Sequence, residues 1–182
     1  RITPFYESIY DDSLKAEYIE FFNQVVGGVL PSGFSLSQIQ QSKRLNEMKF
    51  HYPINHFQLG QISEQFPDVV TGNNVDYMGM MHGFIDLFFE HEGKYYVLDW
   101  KSNSLGNSVQ SYTQEHLNCA MSDNGYLLQG LIYSYASCLY LQSRIPHFDI
   151  NTQFGGFIYV FLRGMRSGEE TGVYHQNFNK AD

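Results

Sequence analysis

The sequence predicts a mixed α/β domain built around one sheet. Three observations carry this reading: an apolar helical period near the start, two strand-like runs joined by a two-residue turn in the middle, and a long amphipathic segment followed by a short, strongly apolar run. The order of elements is helix, strand, hairpin, helix, strand. The chain has 182 residues, which suits one domain with a substantial buried core, so residues 1–182 are read as a single unit. A hydrophobic fraction of 43% with 16% charged residues belongs to a folded chain and excludes a disordered one.

In "DDSLKAEYIEFFNQVVGGVLPSG", Leu14, Tyr18, Phe21, Phe22, Val25 and Val29 recur at helical spacing before Gly and Pro stop the pattern. "RLNEMKFHYPI" alternates, with Met48, Phe50 and Tyr52 on one face, and reads as a strand closed by Pro53. The polar stretch 55–77 is expected to hold a short helix near Phe57–Phe66 and then a loop. "NSLGNSVQSY" is loop-like, and "TQEHLNCAM" suits a short helix. "GYLLQGLIYSYASCLYLQSRI" predicts a long helix ending before Pro146. "FGGFIYVFLRG" is an apolar strand, and "GVYHQNF" a short edge strand.

A net charge of −8 argues at first sight against nucleic acid, because phosphate contacts need Lys and Arg. The argument weakens where part of the acidity is ligand charge for a bound cation, so charge alone decides nothing. Cys119 and Cys138 are too few for a four-thiolate metal or iron–sulfur site, and they favour a reducing compartment, hence the cytoplasm. No apolar run approaches the roughly 20 residues of a membrane span. A start at Arg1 and an end on "NFNKAD" are expected of a piece of a longer chain.

The central question is the hairpin "GFIDLFFEHEGKYYVLDWKSN". With Glu92-Gly93 as its two-residue turn, Asp86 falls directly opposite Asp99. Lys101, two residues on, shares the face of Asp99. Like charges so placed are destabilising, and burial adds to the cost. The pair therefore requires a shared proton, a cationic neighbour or a bound divalent metal. Carboxylate oxygens suit Mg²⁺, and Lys101 would then stand beside the metal to orient water and stabilise phosphate charge. The plain alternative is a surface ion pair worth about 0–1 kcal/mol. The apolar neighbours Phe84, Ile85, Leu87 and Phe88 argue against it, because they predict cover on both faces of the strand.

An acid, a hairpin turn and then Asp-x-Lys resemble the core of the PD-(D/E)XK nuclease superfamily, with its restriction-endonuclease-like fold, a mixed central sheet flanked by helices. "GFIDLFFEHEGKYYVLDWKSNSLG", the Gln129 and Tyr133 pair in "YLLQGLIYSYA", and "FGGFIYVFLRGM" together resemble the C-terminal nuclease domain of the RecB family, the large subunits of RecBCD helicase–nucleases (exodeoxyribonuclease V). The resemblance runs from about residue 35 to 175. It implies a DNA nuclease that uses Mg²⁺, or Mn²⁺ in its place. Asp86 and Asp99 are implied as metal-binding carboxylates and Lys101 as the catalytic lysine. Glu47 matches the family's acid on the preceding strand, implied to hold a water or to assist a second metal. Gln129 and Tyr133 match its Q-x-x-x-Y motif, implied to touch substrate backbone or the catalytic carboxylates; by spacing alone they are one polar face of a helix. Single-stranded DNA, RecC-like and RecD-like subunits are the implied partners, with no membrane.

Two departures stand out. Trp100 occupies a position where the family usually has Tyr, and its side chain points to the opposite face from the acids. The family also carries an upstream helix with a metal-ligating His, which no residue here matches, and His82 is too far along its strand from Asp86 to replace it. An incomplete metal set is therefore expected. A nuclease-fold module that is catalytically silent and serves docking is the alternative function. Retention of both acids and the lysine favours the nuclease.

Overall fold

Asp11 starts the first helix: its Oδ1 accepts from the backbone N–H groups of Ser13 at 2.9 Å and Leu14 at 3.2 Å, satisfying two donors that no helical carbonyl can reach. This computed structural model describes residues 11–58 and 76–177, with backbone only at 55–58 and 76–77. The helix, α1, spans Asp12–Gly27. Its predicted apolar stripe is only partly used. Val25 and the following Leu30 are buried, while Leu14, Ile19 and Phe21 are exposed.

Among the described residues, five strands form one sheet in the order β1 (Arg44–Gln58), β2 (Asp76–His91), β3 (Lys94–Lys101), β4 (Phe154–Phe161) and β5 (Val173–Gln176). Neighbours are antiparallel except β3 and β4, which are parallel. A parallel pair needs a long crossover. Here the crossover holds α2 (Gln114–Asp123) and α3 (Tyr126–Gln142), with one further helical turn at Ile150–Gln153. The mixed α/β architecture expected from the sequence is the one found.

Two local expectations are corrected. The first strand does not close at Pro53 but continues, with Pro53 opposite Met80 and Gln58 opposite Asp76. β1 is an edge strand, where a missing N–H on the open side costs the ladder nothing. Phe57 and Gln58 are thus strand rather than helix, and the rest of the expected helix lies outside the described residues.

The sheet is covered on both sides. Phe88, Val97, Phe157, Tyr159 and Phe161 pack with Leu117, Met121, Ala136 and Leu141 of the crossover helices. Leu87, Phe89, Leu98, Ile158 and Val160 pack instead on Val25, Leu30, Leu36 and Ile39. No described helix is long and apolar enough to cross a membrane. Both cysteines are free, and burial pushes the Cys138 thiol up to about 11.

Helix α3 sits tight on β4 at Gly130, where an added Cβ would come within 2.6 Å of the Phe157 ring. Phe157 is fully buried and its ring has nowhere to retreat. Gly130→Ala is therefore expected to destabilise the fold by about 1–3 kcal/mol, the usual cost of overpacking, although Ala is the better helix former. Chemical denaturation checks this, and a neutral or stabilised variant would show that α3 can lift without loss.

Candidate active site at the fork of the hairpin

The turn has the geometry its sequence demands. Glu92 (φ 49°) and Gly93 (φ 80°) are both left-handed, as in a type I′ hairpin. The register expected from that turn holds along the ladder, from His91 opposite Lys94 to Leu87 opposite Leu98. There the ladder stops, one pair short of Asp86 and Asp99. Beyond this point β2 pairs with β1 alone and β3 with β4 alone, so the two acids sit where the strands part.

Asp86 is not simply face to face with Asp99. Its Oδ2 accepts from the Trp100 backbone N–H at 2.9 Å, taking the place of a lost ladder bond. Glu47 lies across from Asp86, between the pairs Asn46–Leu87 and Met48–Ile85, and has φ 52°, rare for a residue with a side chain. The alternation of β2 changes here. Ile85 and Phe88 share one core although they are three residues apart, while Leu87 belongs to the other. A regular strand of period two forbids that arrangement. The irregularity turns Glu47 and Asp86 toward a cleft of about 480 Å³ on the α1 side, which Arg44, Asn46 and Trp100 also line. Trp100 therefore does not point away from all the acids, as the strand period predicts, but shares a cleft with two of them. The expected cover is incomplete: Ile85, Leu87 and Phe88 are buried, but Phe84 is 51% exposed.

Asp99 and Lys101 share a face, as the period of two requires, and both are almost fully enclosed, at 5% and 9% exposure. Lys101 Nζ is 2.7 Å from Asp99 Oδ2 and donates to Gln129 Oε1 at 3.0 Å. It also lies 3.8 Å from the centre of the Tyr126 ring and 4.9 Å from that of Tyr159. Gln129 Oε1 further accepts from the Tyr159 hydroxyl at 3.0 Å, and Nε2 donates to the Tyr133 hydroxyl at 2.9 Å. An ammonium has no acceptor, so Lys101 fixes which end of the Gln129 amide faces it.

The electrostatics follow from this enclosure. Burial raises the Asp99 carboxyl above its ordinary range; the hydrogen bond and charge of Lys101 pull the other way, and the Asp86 charge raises it again. Tyr133 is held above the usual phenol range by burial first and then by Asp99, with smaller upward contributions from Asp86 and Glu47, while Gln129 acts against them. The Tyr133 hydroxyl therefore lies within electrostatic reach of all three acids, Asp99 most strongly. Tyr159 is pushed far up by burial and then by Asp99.

No protein-family model matches the chain. Among curated proteins, the RecBCD enzyme subunit RecB of Escherichia coli (strain K12) is 41% identical over 152 residues, 79% of this chain. The chain is a RecB-family segment. The same subunit of Haemophilus influenzae is 37% identical over 157 residues, again 79% of the chain, and that of Mycobacterium tuberculosis 33% over 107 residues, 54% of the chain. The chain spans only 13% of the Escherichia coli protein and 12% of the Haemophilus influenzae protein.

Within this RecB-family segment, Asp99, Lys101, Gln129 and Tyr133 are linked by an ion pair and two hydrogen bonds, while Asp86 and Glu47 line the cleft on the α1 side. Sequence reasoning missed Tyr126 and Tyr159. Tyr126 stands three residues before Gln129 and seven before Tyr133, the spacing of one helical face. Tyr159, in an apolar strand, gave no such signal. His82 is exposed opposite His51 and takes no part. Among the described residues no group of three His, Cys, Asp or Glu is gathered for a metal. Asp86 and Asp99 nevertheless suit a hard cation: each has one oxygen engaged through Oδ2, which leaves two carboxylate oxygens at the fork.

Proposed function

We propose that this RecB-family segment is a metal-dependent DNA nuclease module that hydrolyses phosphodiester bonds within a RecBCD-type enzyme, in DNA repair and degradation. The observation that supports the reading is the parting of β2 and β3 beyond Leu87 and Leu98, which leaves Asp86 and Asp99 at the fork, Asp86 bonded to the Trp100 N–H and Asp99 paired with Lys101. The 41% identity to a RecB subunit supports it. Asp86 and Asp99 would hold Mg²⁺ or Mn²⁺, and Glu47, across from Asp86 on β1, would orient a water. Bound there, the ion supplies Lewis-acid polarisation of a scissile phosphate and a water activated for attack. Lys101 holds a fixed positive charge where negative charge builds on the phosphate. Gln129 keeps Lys101 in place, and Tyr133 donates or accepts at the edge of the same site. Single-stranded DNA is the proposed substrate, and RecC-like and RecD-like subunits the proposed partners.

The second reading is a silent docking module of the same fold, to which the enclosure of Asp99 by its ion pair with Lys101 is also suited. Calorimetric titration of Mg²⁺ and Mn²⁺ into the chain and into Asp99→Ala separates the two. Saturable binding that the variant loses, followed by cleavage of single-stranded DNA, is the expected result. Equal or absent binding in both would favour the silent module.

A further inference from the structure

A second polar cleft lies just past the catalytic strand. It has a volume of about 260 Å³ and is lined by Ser104, Gly106, Asn107, Ser108, Arg163 and Arg166. Its floor is built rigidly. The buried Tyr112 hydroxyl accepts from the Leu105 N–H at 3.2 Å and donates to the Asn103 carbonyl at 3.4 Å. Gly106 (φ 153°) lies so close to Ser111 that a Cβ there would be 2.2 Å from its Oγ. Arg163 Nε donates to the Ser102 carbonyl at 3.1 Å, and Arg166 Nη1 to the Arg163 carbonyl at 3.3 Å.

These bonds use only part of each guanidinium. Neither arginine has a carboxylate within ion-pair distance among the described residues. That is unexpected in a chain of net charge −8, with 19 acids to 11 Lys and Arg. Two neighbouring cations repel each other unless an anion lies between them. Arginine forks match phosphate oxygens, and the hydroxyls of Ser104 and Ser108 and the amide of Asn107 supply further donors.

We propose that this cleft binds a backbone phosphate of the substrate strand, adjacent to the one cleaved. The proposal rests on the nuclease reading for its placement: Ser104 is three residues past Lys101, a span of at most about 10 Å. The cleft thereby sets where along the strand the scissile phosphate falls.

The test measures binding of a labelled oligothymidylate to the 182-residue chain without divalent cations, across a range of salt. Arg163→Ala/Arg166→Ala is expected to bind at least about tenfold more weakly at low salt, with a salt slope shallower by about 0.7 for one lost phosphate. Unchanged affinity and slope would overturn the proposal. If the double variant fails to fold, Ser104→Asp places a repelling charge at the exposed rim, with the same two outcomes. Release of the oligonucleotide by micromolar inorganic phosphate would assign the cleft to free anion instead and overturn the backbone assignment. Binding with the expected slope change but no cleavage in Mg²⁺ would keep the cleft and sink the nuclease. Cleavage with an unaltered slope in the variants would do the reverse, and a wild-type chain that binds no DNA would overturn both.

Discussion

Asp99→Asn is expected to cut cleavage severely and, without divalent cations, to raise the melting temperature. Burial outweighs the pull of Lys101 on this carboxyl, so the folded chain binds its proton more tightly than the unfolded chain does. Between the unfolded value near 3.9 and the raised folded value, the native state carries more protons. Stability therefore falls as pH rises through that window, and the loss persists at neutral pH. Asparagine removes the charge but keeps an oxygen to accept from Lys101. The gain should be up to about 1 kcal/mol, the scale of a cross-strand charge pair, or roughly 2–4 °C in a chain of this size. Cleavage should drop by about 10²–10³-fold or more. Mg²⁺ should raise the melting temperature of the wild type only, because binding to the native state alone stabilises it. Thermal melts from pH 3.5 to 7.5, with and without Mg²⁺, test this. A variant less stable at neutral pH would mean that the Lys101 ion pair, not burial, dominates at Asp99.

That reversal, in which the site residue costs stability, could be inferred from the sequence because the hairpin itself was legible. Glu92-Gly93 admits one tight turn, and the turn fixes the register up to Leu87 and Leu98. What happens one pair later was not legible. The ladder ends because β3 takes β4 as its partner, a strand some sixty residues away, and no local pattern announces a parallel pairing. The left-handed Glu47 is similarly silent, since glutamate carries no preference for that conformation and only the surrounding strands impose it. Pro53 read as a stop because its tolerance depends on β1 being an edge, which is a property of the sheet. The Gln129 and Tyr133 assignment came through resemblance to RecB. Helical spacing could group them but could not say that Lys101 would meet the Gln129 amide.

Lys101→Met is the other change with a large expected effect. Methionine retains an unbranched stem beside the stacked Tyr126 and Tyr159 rings, so packing is largely kept, while the ammonium is lost from Asp99 and Gln129. Tyr159 still donates to Gln129 Oε1, which limits the structural damage to about 1–3 kcal/mol. Asp99 loses the one neighbour whose hydrogen bond and charge oppose its rise, so its carboxyl is pushed higher still. A protonated carboxyl is a poor cation ligand, so Mg²⁺ binding, measured by calorimetry, should move to higher pH in the variant. Cleavage should fall about 10²–10³-fold at every pH, because raising the pH restores the carboxylate but not the positive charge beside the phosphate. Lys101→Arg keeps the charge, yet its longer, bulkier head must enter a site where Lys101 is only 9% exposed, and it should rescue little. Recovery of full cleavage by Lys101→Met at high pH would reduce Lys101 to a positioning residue for Asp99, acting only by keeping that carboxyl ionised.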